Sequence, residues 1–407
     1  MAILEGIRIQ NYRALKDVTL GKTFENQKAD ALPRLMAVIG ANGAGKSTLL
    51  DALGFVGECL NEGVEVACDK PHRGGFERLR TLGSDGPIQF EIRYRQTPKE
   101  RPISYSLHLN VDKRGRVCVV YERLRQRRKG ESLGWPYTFL ELQEGIGYAW
   151  SGEEIDGSEG KERTSVHMSD RQVLGISTLG TLVDHPRISQ FRTFLAGWYL
   201  SYFVPELART QPMSGADAHL NRRGDNLAKY LQFVERERPV NFKMMLDLIA
   251  TKIPGIEKIK STRAPDGRLL LEFHAQGFKL PFYQQDMSDG SLKLLAYLLL
   301  MEDPDPAPFI GIEEPENGLH HQLLSLLAQE LQAFAQKLRG PQVLVTTHSP
   351  NFVDALSPSE VWILDKDKNG YSTLSRAADL ASIQSLFDEG IPMGSLWYSN
   401  HFGIGNP

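Results

Sequence analysis

Gly40-Ala41-Asn42-Gly43-Ala44-Gly45-Lys46-Ser47 is the segment that most restricts what this chain can become. It matches the pattern G-x-x-x-x-G-K-[ST] throughout. Ahead of it, Leu35-Met36-Ala37-Val38-Ile39 is a short continuous apolar run, which predicts a strand buried on both faces, as in a parallel sheet. Behind it, Leu49, Leu50, Leu53 and Val56 recur at helical spacing over Ser47–Val56. A buried strand, a glycine-rich turn and a helix, in that order, point successive backbone N–H groups inward at one spot, and the helix adds its positive dipole end. That is a cradle for phosphate. Gly40, Asn42, Gly43, Gly45 and Thr48 belong to it by position. Lys46 would reach the β- and γ-phosphates of a nucleotide, and the Ser47 hydroxyl would ligand Mg²⁺.

A second feature answers the first. Phe309-Ile310-Gly311-Ile312-Glu313-Glu314 is an apolar run that stops at two acids. A strand alternates its side chains, so the two carboxylates are expected to point differently. One can orient a metal ion beside the phosphate loop and the other can poise an attacking water, the division of labour that hydrolysis of a nucleoside triphosphate needs.

The remaining sequence reads as an α/β chain. Residues 3–20 predict two strands joined by Asn11-Tyr12-Arg13, and Ile88 to about Trp150 has the period-two pattern of antiparallel strands with a polar outer face. Residues 151–163 are polar and glycine-rich and read as an exposed, mobile loop; from 185 to 253 helical spacing dominates, ending at Pro254-Gly255. Val343–Thr346 and Val361–Leu364 read as further strands. The expected organisation is an N-terminal lobe over 1–150, a loop and helical insertion over 151–255, and a C-terminal lobe over 256–407. There is no internal repeat and no sustained heptad for a long coiled-coil arm.

Composition narrows the class. With 41% hydrophobic residues and a net charge of -3, a chain basic all over is excluded. The longest apolar stretch, Leu294–Met301, is far short of the roughly 20 residues that span a bilayer. The N-terminus lacks the apolar run of a signal peptide, and Cys59, Cys68 and Cys118 are too scattered for a disulfide framework or a zinc site. A cytoplasmic location with reduced thiols and no membrane contact is expected.

Four motifs in order carry a resemblance: the phosphate loop, Met287-Ser288-Asp289-Gly290-Ser291, Ile312-Glu313-Glu314-Pro315-Glu316-Asn317-Gly318-Leu319-His320, and Thr346-Thr347-His348-Ser349-Pro350. Together they resemble the ABC-type ATPases, and more narrowly the SMC/RecF/OLD-like group of AAA-like P-loop ATPases found in DNA repair and anti-phage defence. Ile9-Gln10-Asn11-Tyr12-Arg13-Ala14-Leu15 resembles that group's opening strand and turn. The resemblance implies a mostly parallel core sheet with an antiparallel β subdomain and a helical insertion, and ATP with Mg²⁺ as ligands. It implies that Ser288, Gly290 and Ser291 form the signature motif, which in this family contacts the γ-phosphate held by the other subunit of a homodimer. It makes Glu314 the general base, Ser47 and Glu313 the metal ligands, His348 the switch histidine, and Glu316-Asn317-Gly318 the loop that crosses the dimer interface. Two departures stand out. Asp289 replaces the usual glycine and would repel phosphate unless it points away, and Glu313 replaces the more usual aspartate. Gln89, the nearest candidate for the family's glutamine-bearing loop, falls within an expected strand.

The 242 residues from Lys46 to Ser288 exceed what a transporter motor of this family keeps there, which favours the DNA-related group. Lys113–Lys129 holds eight basic residues against the single acid Glu122, a local charge of +7 suited to a duplex-DNA backbone or to a solvated hairpin. Asp365-Lys366-Asp367 resembles part of a TOPRIM nuclease site, but the 59 residues after His348 are too few for that fold, and a β-hairpin is the simpler reading. The expected function is a dimeric ATP-hydrolysing switch that acts on DNA or controls a nuclease or other effector protein in trans. A transporter motor and an ATP-binding scaffold for a toxin are the alternatives.

Overall fold

The computed structural model describes residues 2–404 apart from 129–135, 156, 157, 214, 216 and 304. Three sheets organise the chain. The central one has six strands in the order Trp198–Ser201, Phe309–Glu313, Gln342–Thr346, Leu35–Ile39, Val361–Lys366 and Ser372–Arg376. The first five run parallel and the sixth closes an antiparallel hairpin on the fifth. Strands from residues 1–150, 151–255 and 256–407 therefore meet in one sheet.

Period-two alternation explains why this sheet is the centre. Met36 and Val38 contribute to the core on one face, while Leu35, Ala37 and Ile39 contribute to a second core on the other. All five are at most 1% exposed. At about 1.5–3 kcal/mol for each buried aliphatic side chain, such a strand is anchored on both faces before any ligand arrives.

One face carries the helix Lys46–Glu62 beneath an eight-stranded antiparallel sheet. That sheet runs Leu15–Gly21, Ile3–Tyr12, Ile88–Arg95, Ile103–Val111, Val117–Gln126, Tyr137–Gln143, Ile146–Trp150 and Arg163–His167. Buried Gln342 joins the two layers: its side-chain amide accepts from Leu4 N at 2.5 Å and donates to Leu4 O at 2.9 Å. The other face carries the helices Leu227–Glu237, Pro239–Lys252, Asp289–Met301 and His321–Gln336, with a three-stranded sheet, Ile256–Arg263, Leu269–Ala275 and Phe282–Tyr283. Among the described residues no helix is long and apolar enough to cross a membrane, and the three cysteines are buried and unpaired.

Two expectations change. The helical stretch from 185 to 253 is interrupted by Trp198–Ser201, an edge strand of the central sheet. Four residues are too few for a period to register. The segment 151–163, apart from residues 156 and 157, is held to the sheet by ion pairs rather than free: Glu154 pairs with Arg101, and Glu159 with Arg128 at 2.6 Å.

Candidate functional site

The phosphate loop leaves the C-terminal end of Leu35–Ile39 and closes at Lys46, the first residue of the helix. Gly43 and Gly45 have φ of 77° and 114°, which L side chains rarely adopt. Gly40 lies so close to its neighbouring strand that a Cβ would sit 2.1 Å from Leu364 O. Asn42, Gly43 and Ser47 are exposed, Thr48 is half-buried, and Lys46 is buried, its Nζ donating to Gly40 O at 2.9 Å. Burial pushes the Lys46 ammonium below its usual range, and the charges of Glu314, Glu316 and Glu313 oppose that shift.

The N-terminal motif braces the helix that follows the loop. Tyr12 donates its hydroxyl to Asp51 at 2.6 Å, and Arg13 pairs with Asp51 at 3.4 Å. Buried Arg73 bridges Asp51 and Glu58 on the same helix. Burial alone would raise the Asp51 carboxyl, but the hydrogen bond and charge of Arg73 hold it below the usual range.

At the end of the next strand but one, the two acids are separated by a backbone turn rather than by strand alternation. The strand stops at Glu313, and Glu314 takes φ 39°, its N–H donating to Thr346 O at 2.9 Å. Its carboxylate lies 3.2 Å from His348 Nε2 and accepts from Asn317 Nδ2 at 3.1 Å. Glu316 accepts from Thr347 Oγ1 at 2.9 Å and from His348 N. Thus Glu314, Asn317, Glu316 and His348 form one connected group at the end of adjacent parallel strands, within the electrostatic field of Lys46. Glu313 has no hydrogen-bond or ion-pair partner for its carboxylate among the described residues. With exposed Ser47 it offers the oxygen donors that Mg²⁺ prefers. No cluster of three or more His, Cys, Asp or Glu side chains suited to a metal occurs among the described residues.

Ser288 caps the helix Asp289–Met301, its Oγ accepting from Ser291 N at 3.2 Å and donating to Ser291 Oγ at 2.9 Å. Gly290 is packed on the loop after Glu314: a Cβ there would meet Gly318 O at 2.4 Å. Asp289 is turned aside and paired with Arg209, which also donates to Met287 O at 2.9 Å. No described hydrogen bond or ion pair links residues 288–291 to residues 40–48. Gln89 lies inside Ile88–Arg95, opposite Gln10 and His108, and is no loop residue.

Three contributors escape sequence reasoning. Lys293, on the helix Asp289–Met301 and 5% exposed, donates to Glu314 O at 3.2 Å and Asn317 O at 3.0 Å. Arg209 neutralises Asp289. Ser372, in the hairpin at the edge of the central sheet, donates to Ala44 O of the phosphate loop at 2.6 Å. All three lie at least 20 residues from what they touch, and none stands in a motif that names its partner.

The basic stretch does not form one face. Lys113, Arg114 and Arg116 are at an exposed hairpin tip, and Arg127 and Arg128 follow the opposite end of Val117–Gln126. Ten residues of strand put roughly 33 Å between them. Arg125 is buried over the Phe24 ring at 3.6 Å, Arg116 pairs with Asp112, and Lys129 lies outside the described residues. Glu122, the one acid, is fully buried and accepts from Gly175 N, Ile176 N and Tyr105 Oη.

A glycine-rich phosphate loop between a buried parallel strand and a helix, facing a Glu–His pair at the ends of neighbouring strands, defines a P-loop ATPase of the ABC/SMC-like kind. The family model described as "AAA domain, putative AbiEii toxin, Type IV TA system" matches residues 35–354, and the chain belongs to that family. No curated protein matches the sequence. Among solved structures, the Smc head bound to the C-winged helix domain of ScpA is 15% identical, covering 91% of this chain and 97% of that one with a TM-score of 0.51. The Smc head domain with an extended coiled coil, bound to the C-terminal domain of ScpA and derived from Pyrococcus furiosus, is 14% identical. There 96% of this chain and 100% of that one are covered, with a TM-score of 0.52. These likenesses are of fold.

Proposed function

We propose that this chain hydrolyses ATP and uses the nucleotide to close two copies of itself head to head, thereby controlling a partner protein. The observation that carries the reading is the Glu314 carboxylate, fixed between His348 Nε2 and Asn317 Nδ2 beside a phosphate loop whose lysine feels its charge.

In this reading the loop N–H groups and Lys46 hold the phosphate chain. Ser47 and Glu313 would hold Mg²⁺, which would supply positive charge to stabilise the phosphate oxygens. Glu314 accepts a proton from the attacking water, and His348 and Asn317 keep its oxygens aimed. The signature residues Ser288, Gly290 and Ser291 contact a phosphate only from a second copy: in their own chain Gly290 packs on Gly318, the Ser288 and Ser291 hydroxyls bond to each other, and no described hydrogen bond joins them to the phosphate loop. A two-fold axis then makes two equal sites from one contact type. ATP favours closure through contacts that exist only in the closed pair, and hydrolysis removes them.

A protein partner fits better than duplex DNA held along Lys113–Lys129, since that stretch is divided and partly engaged. The family description names a putative toxin of a type IV toxin–antitoxin system, and both Smc heads are bound to ScpA domains. Each is consistent with an ATPase that works through another chain, in a defence or repair role.

The test is light scattering with and without ATP. Glu314→Gln, which keeps the shape and loses the base, is expected to bind ATP, hydrolyse it at least 100-fold more slowly (roughly the factor a general base supplies) and accumulate as a closed dimer. Ser288→Arg is expected to bind ATP yet neither close nor hydrolyse. ATP-independent association of Glu314→Gln, or normal turnover by Ser288→Arg, refutes the shared site.

A further inference from the structure

The hairpin Val361–Lys366 and Ser372–Arg376 is more than an edge of the central sheet. It is built against the phosphate loop at three levels. Leu364 O lies where a Cβ of Gly40 would stand, at 2.1 Å. The Ser372 hydroxyl donates to Ala44 O, and Ser372 N donates to Ala14 O at 2.9 Å. At the top, Lys366 Nζ is, outside residues 42–44, the only described heavy atom within 4 Å of where a Gly43 Cβ would be, at 3.9 Å.

The register explains the reach. Ile363 pairs with Ile39, the last residue before the loop, so Lys366 extends three residues, about 10 Å, past the end of that strand. Leu364 and Lys366 share one face of their strand and so both address the loop. Lys46 is buried beneath the loop; Lys366 is exposed and stands over its tip.

The charge of Lys366 is uncommitted. Among the described residues its ammonium has no carboxylate within 4.0 Å and no hydrogen-bond acceptor. The neighbouring Asp367 is occupied in the turn, accepting from Asn369 N at 2.8 Å and Tyr371 N at 2.9 Å. Asp365 alternates to the other face. A free cation 3.9 Å from where a Cβ of Gly43 would stand, at the tip of a phosphate loop, is placed for an anion lying in that loop.

We propose that Lys366 is a second nucleotide-binding lysine. It contacts the phosphate chain of a nucleoside di- or triphosphate from the outer side of the loop, opposite Lys46. The inference rests on the phosphate loop binding a nucleotide, as proposed above. Because Gly43 lies mid-loop, Lys366 addresses the phosphates that ATP and ADP share, not the γ-phosphate alone.

The experiment measures Mg-ATP and Mg-ADP affinity by calorimetry for the wild type, Lys366→Met, Lys366→Arg and Lys46→Ala, with nucleotide-free melting curves for each. Lys366→Met is expected to weaken both nucleotides by about tenfold, or ~1.4 kcal/mol. It should also lessen the salt dependence of binding and leave the nucleotide-free melting temperature unchanged. Lys366→Arg should keep affinity within about threefold, since a charged donor remains. Wild-type affinity in Lys366→Met, with binding lost in Lys46→Ala, overturns the inference and leaves the nucleotide site standing. Loss of ATP affinity alone, or a fall in nucleotide-free melting temperature in Lys366→Met, also overturns it. Unchanged binding in Lys46→Ala overturns the underlying site and this inference with it.

Discussion

Lys293→Met tests whether the helix Asp289–Met301 and the loop after Glu313 act as one body. The substitution keeps most of the apolar stem and removes the ammonium that donates to Glu314 O and Asn317 O. Hydrogen bonds to a charged group contribute about 1.5–3 kcal/mol each, so the gross loss is about 3–6 kcal/mol. Part is returned, because burying the ammonium is itself unfavourable. Desolvation pushes the Lys293 pKa down, against the attraction of Glu316 and Glu314. A net loss of about 2 kcal/mol is left, and it falls on the loop rather than the whole fold. Glu314 holds φ 39° there, a conformation costing about 1–2 kcal/mol for a non-glycine residue. Without Lys293 that strain is free to relax and carry the carboxylate out of line. Two kcal/mol corresponds to about a 30-fold fall in single-turnover hydrolysis. ATP affinity should hold within about threefold, since the phosphate loop and Lys46 are untouched. Single-turnover kinetics and calorimetry on the same preparation decide. Wild-type turnover refutes the coupling, and an affinity loss as large as the rate loss means the variant has damaged the nucleotide cradle instead.

Two further outcomes are expected. Arg209→Ala should unmask the Asp289 carboxylate at the start of the helix Asp289–Met301 and weaken ATP-dependent association severalfold, and adding Asp289→Asn should restore it; light scattering that shows no change in the single variant refutes the screening role. Burial pushes the Glu122 carboxyl up from 4.5 to about 6, so the folded chain binds more protons than the unfolded one between those values, and stability should fall as pH rises from about 4.5 to about 6. That slope, about 2 kcal/mol in all, should vanish in Glu122→Gln, and urea midpoints that run parallel for the two proteins across this window refute it.

The central strand, the phosphate loop, the helix after it and the acids after Ile312 were all legible in order, because each rests on signals within a few residues. Gly43 and Gly45 answer to backbone conformation, and the run Leu35–Ile39 to burial on both faces. The crossover between Glu314 and His348 could be read from spacing alone, and the two side chains do meet. Trp198–Ser201 could not be read, because an edge strand of four residues has too few turns of any period. The charge run at Lys113–Lys129 stayed open between a DNA contact and a solvated hairpin for a related reason: counting charges along the chain says nothing about which faces and ends of a strand they occupy.

By itself, then, the sequence determined the chemistry available: a phosphate cradle, two carboxylates and a histidine, in an order that suits one parallel sheet. These depend on local geometry and on residue type. Only the tertiary structure decided what holds and aims them. Lys293 on the loop after Glu313, Arg209 on Asp289, Ser372 under Ala44 and Lys366 over Gly43 are placed together across 21 to 328 residues. A lysine or serine carries no local mark of its partner; the partner is set by how separate strands and helices pack, which depends on burial summed over the whole chain.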